Sequence, residues 1–569
     1  MTDKSFYSMS DRDKCNKLRQ RYQALKEERD PWLTVWREVS RYVKPEESSF
    51  TAWNRRNVIS ESEYVYCNTP SKAFDTLVAG LAGGATSPAR KWFKIVPTSI
   101  KPGQDIPDAV KRWCSEVESL LIKTFHESNT YNSLHTLYKH LCLFGIGADL
   151  ISSDPDVMLT HMVLEPGSFC IQSNAKGVVD TLYREFEMTA SQLIERFGWD
   201  NVSAQTRRRF EEGMPDTRFT ICHAIEPRSV RDHNSIENKD MPFASYYFYI
   251  SPDDENSVML EESGYKTFPV ISPRWDVNTS NNYGSSPAIA ALPNIKQLQL
   301  EVKMKLQLLE TVVDPPLVAP HSARQQPISM LPGSVNFHTG LDGEIRPIIQ
   351  GSTAISAITS DIYNLERQIE SDFYTDLFLM IHQQQTDRKT ATEIQALKEE
   401  KMLVLGPVIE RLQHELLEPI VNIAIAELSE NGKLPPVPPE LMEEDMELGA
   451  EFSSLLAQSQ RIEDINSLDR FVSAISAMAG ARPEVLDNIN PDEYFRLYME
   501  RMGINPSIAY DREQVEKTRK ARAQQQQQMQ QQEQMAAAGA LATDLAGAQR
   551  NSADASLAMQ KLEEVGGLV

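Results

Sequence analysis

Residues 286–316 read SPAIAALPNIKQLQLEVKMKLQLLETVVDPP, and the spacing in this stretch decides the fold class. Leu292, Ile295, Leu298, Val302, Leu306, Leu309 and Val313 fall three or four apart, which predicts a long helix with one apolar stripe. Asp314-Pro315-Pro316 ends it, because a residue ahead of a proline is driven out of the helical region. Pro293 lies inside the run, so a kink or a second start is expected there.

Downstream, residues 316–349 are rich in Pro and Gly and read as short strands and loops. Ile362, Leu365, Ile369, Phe373, Leu377 and Met380 or Ile381 predict one helix of about five turns. A polar linker, His382 to Lys389, leads to Thr390-Ala391-Thr392-Glu393, a capping box. The helix it opens carries Ile394, Leu397, Val404, Val408, Leu412, Leu416, Ile420 and Ile423, with Gly406-Pro407 interrupting it. Leu434 to Pro439 is a stiff spacer, and Glu440 to Glu451 reads as a solvated acidic face, with an acidic lining around a channel as the alternative. Beyond Arg512 a basic stretch passes into a Gln-rich and then an Ala-rich run, which lacks large apolar groups and is disordered or helical only against copies of itself.

Upstream, apolar residues from Leu18 to Val43 recur at helical steps, and Pro31 is expected to start a second helix within the run. Phe74 to Ala85 is a small-residue helix whose glycines suit close packing. A phosphate loop is ruled out there because no GK[ST] follows and no strand precedes. A helix pair is predicted at Asp108–Phe125 and Tyr131–Phe144, closed by Gly145 and Gly147. Strands follow between Asp149 and Glu187, then helical pieces at 191–197 and 204–210, then a second β-rich section from Thr217 to Trp275. The class is mixed α+β, mainly helical.

The length of 569 residues suggests three or four structural units at about 150 residues each. The net charge of −22 argues against a protein that grips nucleic acid by neutralising many phosphates, yet a like-charged wall lets DNA slide without trapping it. Six cysteines, none in a CxxC pair, fit a reducing cytosolic folding environment better than a zinc site or a disulfide scaffold. Residues 1–13 lack the apolar core of a signal peptide, and no run reaches the roughly 18 apolar residues of a membrane span, so a protein soluble when made is expected.

No catalytic signature is present, whether GxxxxGK[ST], HExxH or GxSxG. His414-Glu415-Leu416-Leu417-Glu418 lacks the second histidine of a metal site, and Asp154-Pro155-Asp156 and Asp253-Asp254-Glu255 read as acidic turns. No catalytic residue, cofactor or metal ligand is assigned. A triad assembled from distant residues stays open.

Several segments together resemble the portal proteins, or head-to-tail connectors, of short-tailed bacteriophages. They are Arg29-Asp30-Pro31-Trp32 with Trp36 and Tyr42-Val43-Lys44-Pro45; Leu81 through Phe93; Tyr283-Gly284-Ser285-Ser286-Pro287-Ala288; Asp314-Pro315-Pro316; and Thr390-Ala391-Thr392-Glu393-Ile394 with Leu405-Gly406-Pro407 and Glu418-Pro419. The resemblance covers roughly residues 15–510 and implies a ring, usually of twelve subunits, with a wing, a stem of paired helices, a clip and a crown. It implies an N-terminal wing over 1–187, a candidate first stem helix at 188–215 and a clip at 216–275. A stem helix at 284–314, wing helices on the tunnel and crown sides over 315–434, a helical crown region at 435–511 and the tail at 512–569 complete the scheme. The implied protein is no enzyme: it forms the channel at one capsid vertex through which double-stranded DNA is packaged and ejected, and it joins head to tail. Implied partners are copies of itself, the terminase large subunit, capsid and scaffolding proteins, tail adaptors and passing DNA, with no membrane. The implied location is the virion's portal vertex, after synthesis in the host cytoplasm. Channel-lining candidates are Gln350, Gly351, Ser352, Thr353, Arg388 and Lys389, for which a solvent-exposed linker is the competing reading. A scaffold-like internal head protein and a metal-dependent hydrolase with a scattered site are the alternatives.

Overall fold

A computed structural model describes residues 9–47, 65–97, 107–228, 230–232, 237–251, 258–278, 281–313, 317–318, 346–347, 352–382, 405–439, 441, 448–452, 468–475, 490–502, 510 and 512–548. The chain divides into two units, one formed by residues 1–102 and 116–463 and the other by 103–115 and 464–569.

The first unit begins with α1 (Asp11–Val43), which runs unbroken through Pro31 where a second start was expected. An interior proline costs about 3 kcal/mol. Leu18, Tyr22 and Leu25 on one side of it and Trp36, Val39 and Val43 on the other are all buried, at about 1.5–3 kcal/mol for each large side chain. Burial on both sides outweighs the lost hydrogen bond. Next come α2 (Thr69–Ala85), β1 (Phe93–Pro97), α3 (Asp108–Glu127) and α4 (Thr130–Phe144), the last closed by Gly145 in the left-handed region at φ 80°.

Strands β2 (Asp149–Asp154) and β3 (Met158–Val163) pair with each other, and β2 also pairs with the short β9 (Val270–Ile271). Strands β4 (Phe169–Ser173), β5 (Val179–Thr189), β6 (Arg218–Pro227), β7 (Phe243–Tyr249) and β8 (Met259–Tyr265) form one antiparallel sheet in that order. The division at 187/216 therefore runs through a sheet: β5 and β6 are hydrogen-bonded from Leu182↔Ile225 to Thr189↔Arg218. Both faces are covered. Cys15, Leu18, Tyr22 and Leu25 of α1 pack on Cys222, Ala224, Tyr246 and Phe248, while α5 (Ala190–Phe197) packs Leu193 and Phe197 on Ile221, Tyr247 and Tyr249. Burial on both faces explains why Tyr246-Tyr247-Phe248-Tyr249 shows no polar alternation. The stretch at 188–215 becomes α5 and α6 (Ala204–Glu211), each eight residues long and too short for a stem.

Helix α7 (Pro287–Val313) continues through Pro293, so no second start occurs there. It packs along α8 (Ser352–Asp372), and between the two helices β10 (Leu317–Val318) pairs with β11 (Arg346–Pro347). The single helix expected across Ile362–Ile381 is broken, because Tyr374 takes a left-handed φ of 54° and α9 (Thr375–His382) starts afresh. Phe373 and Phe378 are both buried, and on a straight helix they would point about 140° apart. The break lets both reach the core. Gly80 of α2 makes room for the Phe378 ring, which a Cβ there would overlap, so the small residues serve close packing.

Residues 405–412 are helical, a wide turn spans Gln413–Leu417, and α10 (Glu418–Glu430) follows. The capping box at Thr390–Glu393 lies outside the described residues. The region 435–511, expected to be helical, contributes a strand: β12 (Leu448–Phe452) pairs with β1, setting Glu451 opposite Lys94. The local reason is that alternate residues of β1 (Phe93, Ile95, Pro97) are buried and its backbone needs a partner. In the second unit, α11 (Pro491–Met502) and α12 (Arg512–Ala548) are joined by Arg519, whose two terminal nitrogens donate to both Asp492 oxygens at 2.5 and 2.6 Å. The tail is thus helical as far as Ala548.

Candidate functional site

Of the six channel candidates, Gln350, Gly351, Arg388 and Lys389 lie outside the described residues. Ser352 and Thr353 open α8, so over these two residues the chain is the first turn of a helix and not a linker.

Two of the motifs that carry the resemblance, Trp32 with Trp36 and Tyr283 through Pro287, meet along the segment 274–287 where the sheet region hands over to α7. Tyr283 is buried among Trp32, Trp36 and the neighbouring strand: its ring centroid lies 6.2 Å from Trp32 and 5.8 Å from Trp36, and its hydroxyl accepts from the Ile171 N–H at 3.3 Å. Trp36 donates its indole N–H to the Phe144 carbonyl at 3.0 Å. Ser286 caps α7, accepting from Ile289 N–H at 3.0 Å and donating to the Leu143 carbonyl at 2.8 Å. Gly284 and Gly145 press backbone on backbone, and a Cβ on either would overlap the other's carbonyl oxygen or its neighbour. Glycine is required at both. The Trp32/Trp36 motif and the Tyr283 motif are therefore two halves of one contact.

Arg274 is the polar centre of this junction. Its backbone N–H and Nε donate to Glu415 Oε2 at 2.9 and 3.2 Å, and Nη2 donates to Oε1 at 2.5 Å. The guanidinium also reaches Ser173 Oγ at 3.2 Å, the Asn282 carbonyl at 3.4 Å and the Gly177 carbonyl at 2.7 Å. Arg411 donates to the Trp275 carbonyl at 3.2 Å, and Trp275 packs beside Tyr374 with centroids 6.4 Å apart. A planar donor fork that meets both carboxylate oxygens fixes direction as well as charge. The sequence reading set His414-Glu415 aside for lack of a second histidine. In the structure His414 binds Glu418 at 3.1 Å and Glu415 binds Arg274, so the pattern serves packing. Asp154 likewise accepts from the N–H groups of Asp156 and Val157 in a turn, and Asp253–Glu255 lies outside the described residues.

Two buried histidine networks escaped the sequence entirely. Asp149 Oδ2 lies 2.7 Å from His161 Nδ1, and His161 Nε2 lies 2.9 Å from Thr130 Oγ1, the order of a nucleophile, base and orienting acid. Thr130 is fully buried, however, and Asn129 clamps the His161 backbone through both its amide atoms at 2.8 and 2.9 Å. The set ties the start of α4 to β3. His223 accepts from Arg184 Nε at 3.2 Å, meets Ser245 Oγ at 2.9 Å and stacks on Tyr247 at 3.9 Å. Burial, with Arg184 and Arg196 nearby, holds its pKa well below the usual histidine value. His140 on α4 is pushed down to about 4, first by burial and then by Lys139. No periodicity marks these residues, because each partner arrives from a different strand or helix.

Among the described residues no group of three or more His, Cys, Asp or Glu is placed to hold a metal, and no helix is long and apolar enough to cross a membrane. The six cysteines are free, and burial raises Cys15 to about 11.

Residues 15–509 match the family model described as bacteriophage head to tail connecting protein. The probable portal protein of Bordetella phage BPP-1 is 37% identical over 517 residues, covering 90% of this chain and 92% of that one. The portal protein of Salmonella phage epsilon15 is 33% identical over 521 residues, covering 91% and 92%. Among solved structures, a chain from the virion of a native gene transfer agent particle matches at 11% identity and a TM-score of 0.29, over 60% of this chain and 73% of that one.

Proposed function

The chain belongs to the bacteriophage head to tail connecting protein family, and from that premise we propose that it is a phage portal protein. Copies close into a ring at one capsid vertex, the bore passes double-stranded DNA inward during packaging and outward at ejection, and the ring joins head to tail. In the family's usual form the ring has twelve copies.

The observation that carries this reading is the long helix α7. Its first half is buried within the chain, whereas Leu300, Met304 and Leu306 are 50–52% exposed and Val313 is 83% exposed. Apolar side chains repeated along one exposed helix are covered when identical copies stand side by side. The resemblance calls for a stem of paired helices, and α7 with α8 is the long packed pair. We therefore assign the stem to α7 and α8 and the clip to the segment that joins them, 314–351, in place of 216–275, whose strands belong to the same sheet as β4 and β5. Ser352 and Thr353, with Gln350 and Gly351, then lie where clip meets stem, and with Arg388 and Lys389 they are the proposed polar contacts to passing phosphates. The net charge of −22 suits a bore that repels what it conducts. Terminase, scaffolding protein and tail adaptors are the partners this role calls for.

Light-scattering mass and negative-stain imaging of purified protein test the reading. A ring with a hole near the width of duplex DNA is expected. A monomer, a hole-less assembly, or metal-dependent DNA cleavage by the purified chain would overturn it.

A further inference from the structure

We propose that the wide turn at Gln413–Leu417 is a register lock: the Arg274–Glu415 pair holds residues 405–412 one residue out of phase with α10, and releasing it lets that segment turn by about 100° and shift by about 1.5 Å. The inference does not depend on the ring.

In the wide turn Glu418 N–H donates to the Gln413 carbonyl, five residues back, where a regular helix would use His414. Pro419 contributes to the irregularity. It has no N–H to give to the Glu415 carbonyl, and its ring presses on that carbonyl in a regular helix. A proline alone leaves a choice between a kink and a widened turn. The carboxylate of Glu415 makes that choice. Both its oxygens are taken by Arg274, and Arg274 is anchored in turn to Gly177, Ser173 and Asn282 in the β4–β5 hairpin and the junction. The guanidinium cannot follow a helix that rotates, so the helix widens to keep the pair.

The apolar spacing shows what the lock selects. Leu412, Leu416, Ile420, Ala424 and Leu428 are buried at steps of four, each of which overshoots a full turn of regular helix by about 40°. A single wide turn takes up part of that overshoot and brings Leu405 and Leu412 to the core, 1% and 2% exposed. In the regular register Gln413 would stand where Leu412 does, and Gly406 where Leu405 does. The two arrangements thus differ in which side chains are buried, the discrete kind of difference that makes a packed element bistable. A displacement of the β4–β5 hairpin that draws Arg274 away would reach residues 405–412 as a one-residue rotation.

Single reporter cysteines test this in the full chain with Cys67→Ser, the other five cysteines being buried. In the parent, maleimide should modify Leu412→Cys at least tenfold more slowly than Gln413→Cys. Glu415→Gln should invert that order, and Arg274→Lys, which keeps charge but cannot hold both oxygens, should do the same, with circular dichroism confirming the fold. Parental order in whichever of the two variants folds overturns the proposal. So does inversion in Pro419→Ala with the ion pair intact, since the proline would then set the register.

Discussion

Between Pro287 and Gln299, helix α7 buries Pro287, Ala288, Ala291, Leu292, Ile295, Leu298 and Gln299 against α1, α4 and the segment at 66–67, where Gln299 holds the backbone of Tyr66 and Cys67 at 2.7–2.9 Å. Between Leu300 and Val313 apolar residues continue, but Leu300, Met304, Leu306, Val312 and Val313 are exposed. One helix therefore serves two kinds of interior. Its base belongs to the subunit's own core, and its outer half exposes apolar side chains on more than one face, which other copies would cover. Stability of the chain and assembly of the ring should accordingly be separable by position along α7.

The largest effect is expected at the base. Ile295→Ala removes a fully buried side chain and should lower subunit stability by about 2–5 kcal/mol in urea titration, with a proportionate loss of folded protein. A change below about 1 kcal/mol would erase the distinction between the halves.

Acid should act on the inner region in the same direction. A histidine whose folded pKa lies below its unfolded value of about 6.5 supports the fold above that pH and loses its contribution as pH falls toward the folded value. His140, pushed down to about 4, and His223, well below the ordinary value, meet that condition. Each should cost about 1.4 kcal/mol per pH unit below about pH 6.5, His140 until about pH 4, read from urea midpoints against pH. His140→Gln should reduce the slope by about half, and an unchanged slope would remove His140 from the account.

The outer half should show the reverse signature. Leu306→Asp places a charge on a side chain already 52% exposed, so subunit stability should stay within about 0.5 kcal/mol while rings disappear from light scattering. A large stability loss would mean that the outer half belongs to the subunit core. Smallest of all is the effect of ending the chain before Arg512. Every side chain described in α12 except the half-buried Val515 is exposed, and the truncated protein should form rings with unchanged subunit stability. Failure to assemble would make α12 part of the ring's own core.

Local periodicity made most helices legible. Asp108–Phe125, Tyr131–Phe144 and the helix from Pro287 appear close to where the spacing put them. The errors share a cause. Pro31 reads as a second start because a proline's local cost is visible in sequence while the burial on either side is not. Tyr374 looks like any helix residue, and only the need to bury both Phe373 and Phe378 turns the chain there. The role of Glu415 leaves no mark in the sequence, because its partner Arg274 lies 141 residues away.

The sequence by itself determined the helical stripes, the acidity and, through the order of its short motifs, the family, since each rests on neighbours along the chain or on composition. The tertiary structure decided the five-stranded sheet that crosses an apparent boundary, the pairing of β1 with β12, the histidine networks and the Arg274–Glu415 junction. Hydrogen bonds and buried charges need partners in space, and the distance along the chain to those partners leaves no local period to read.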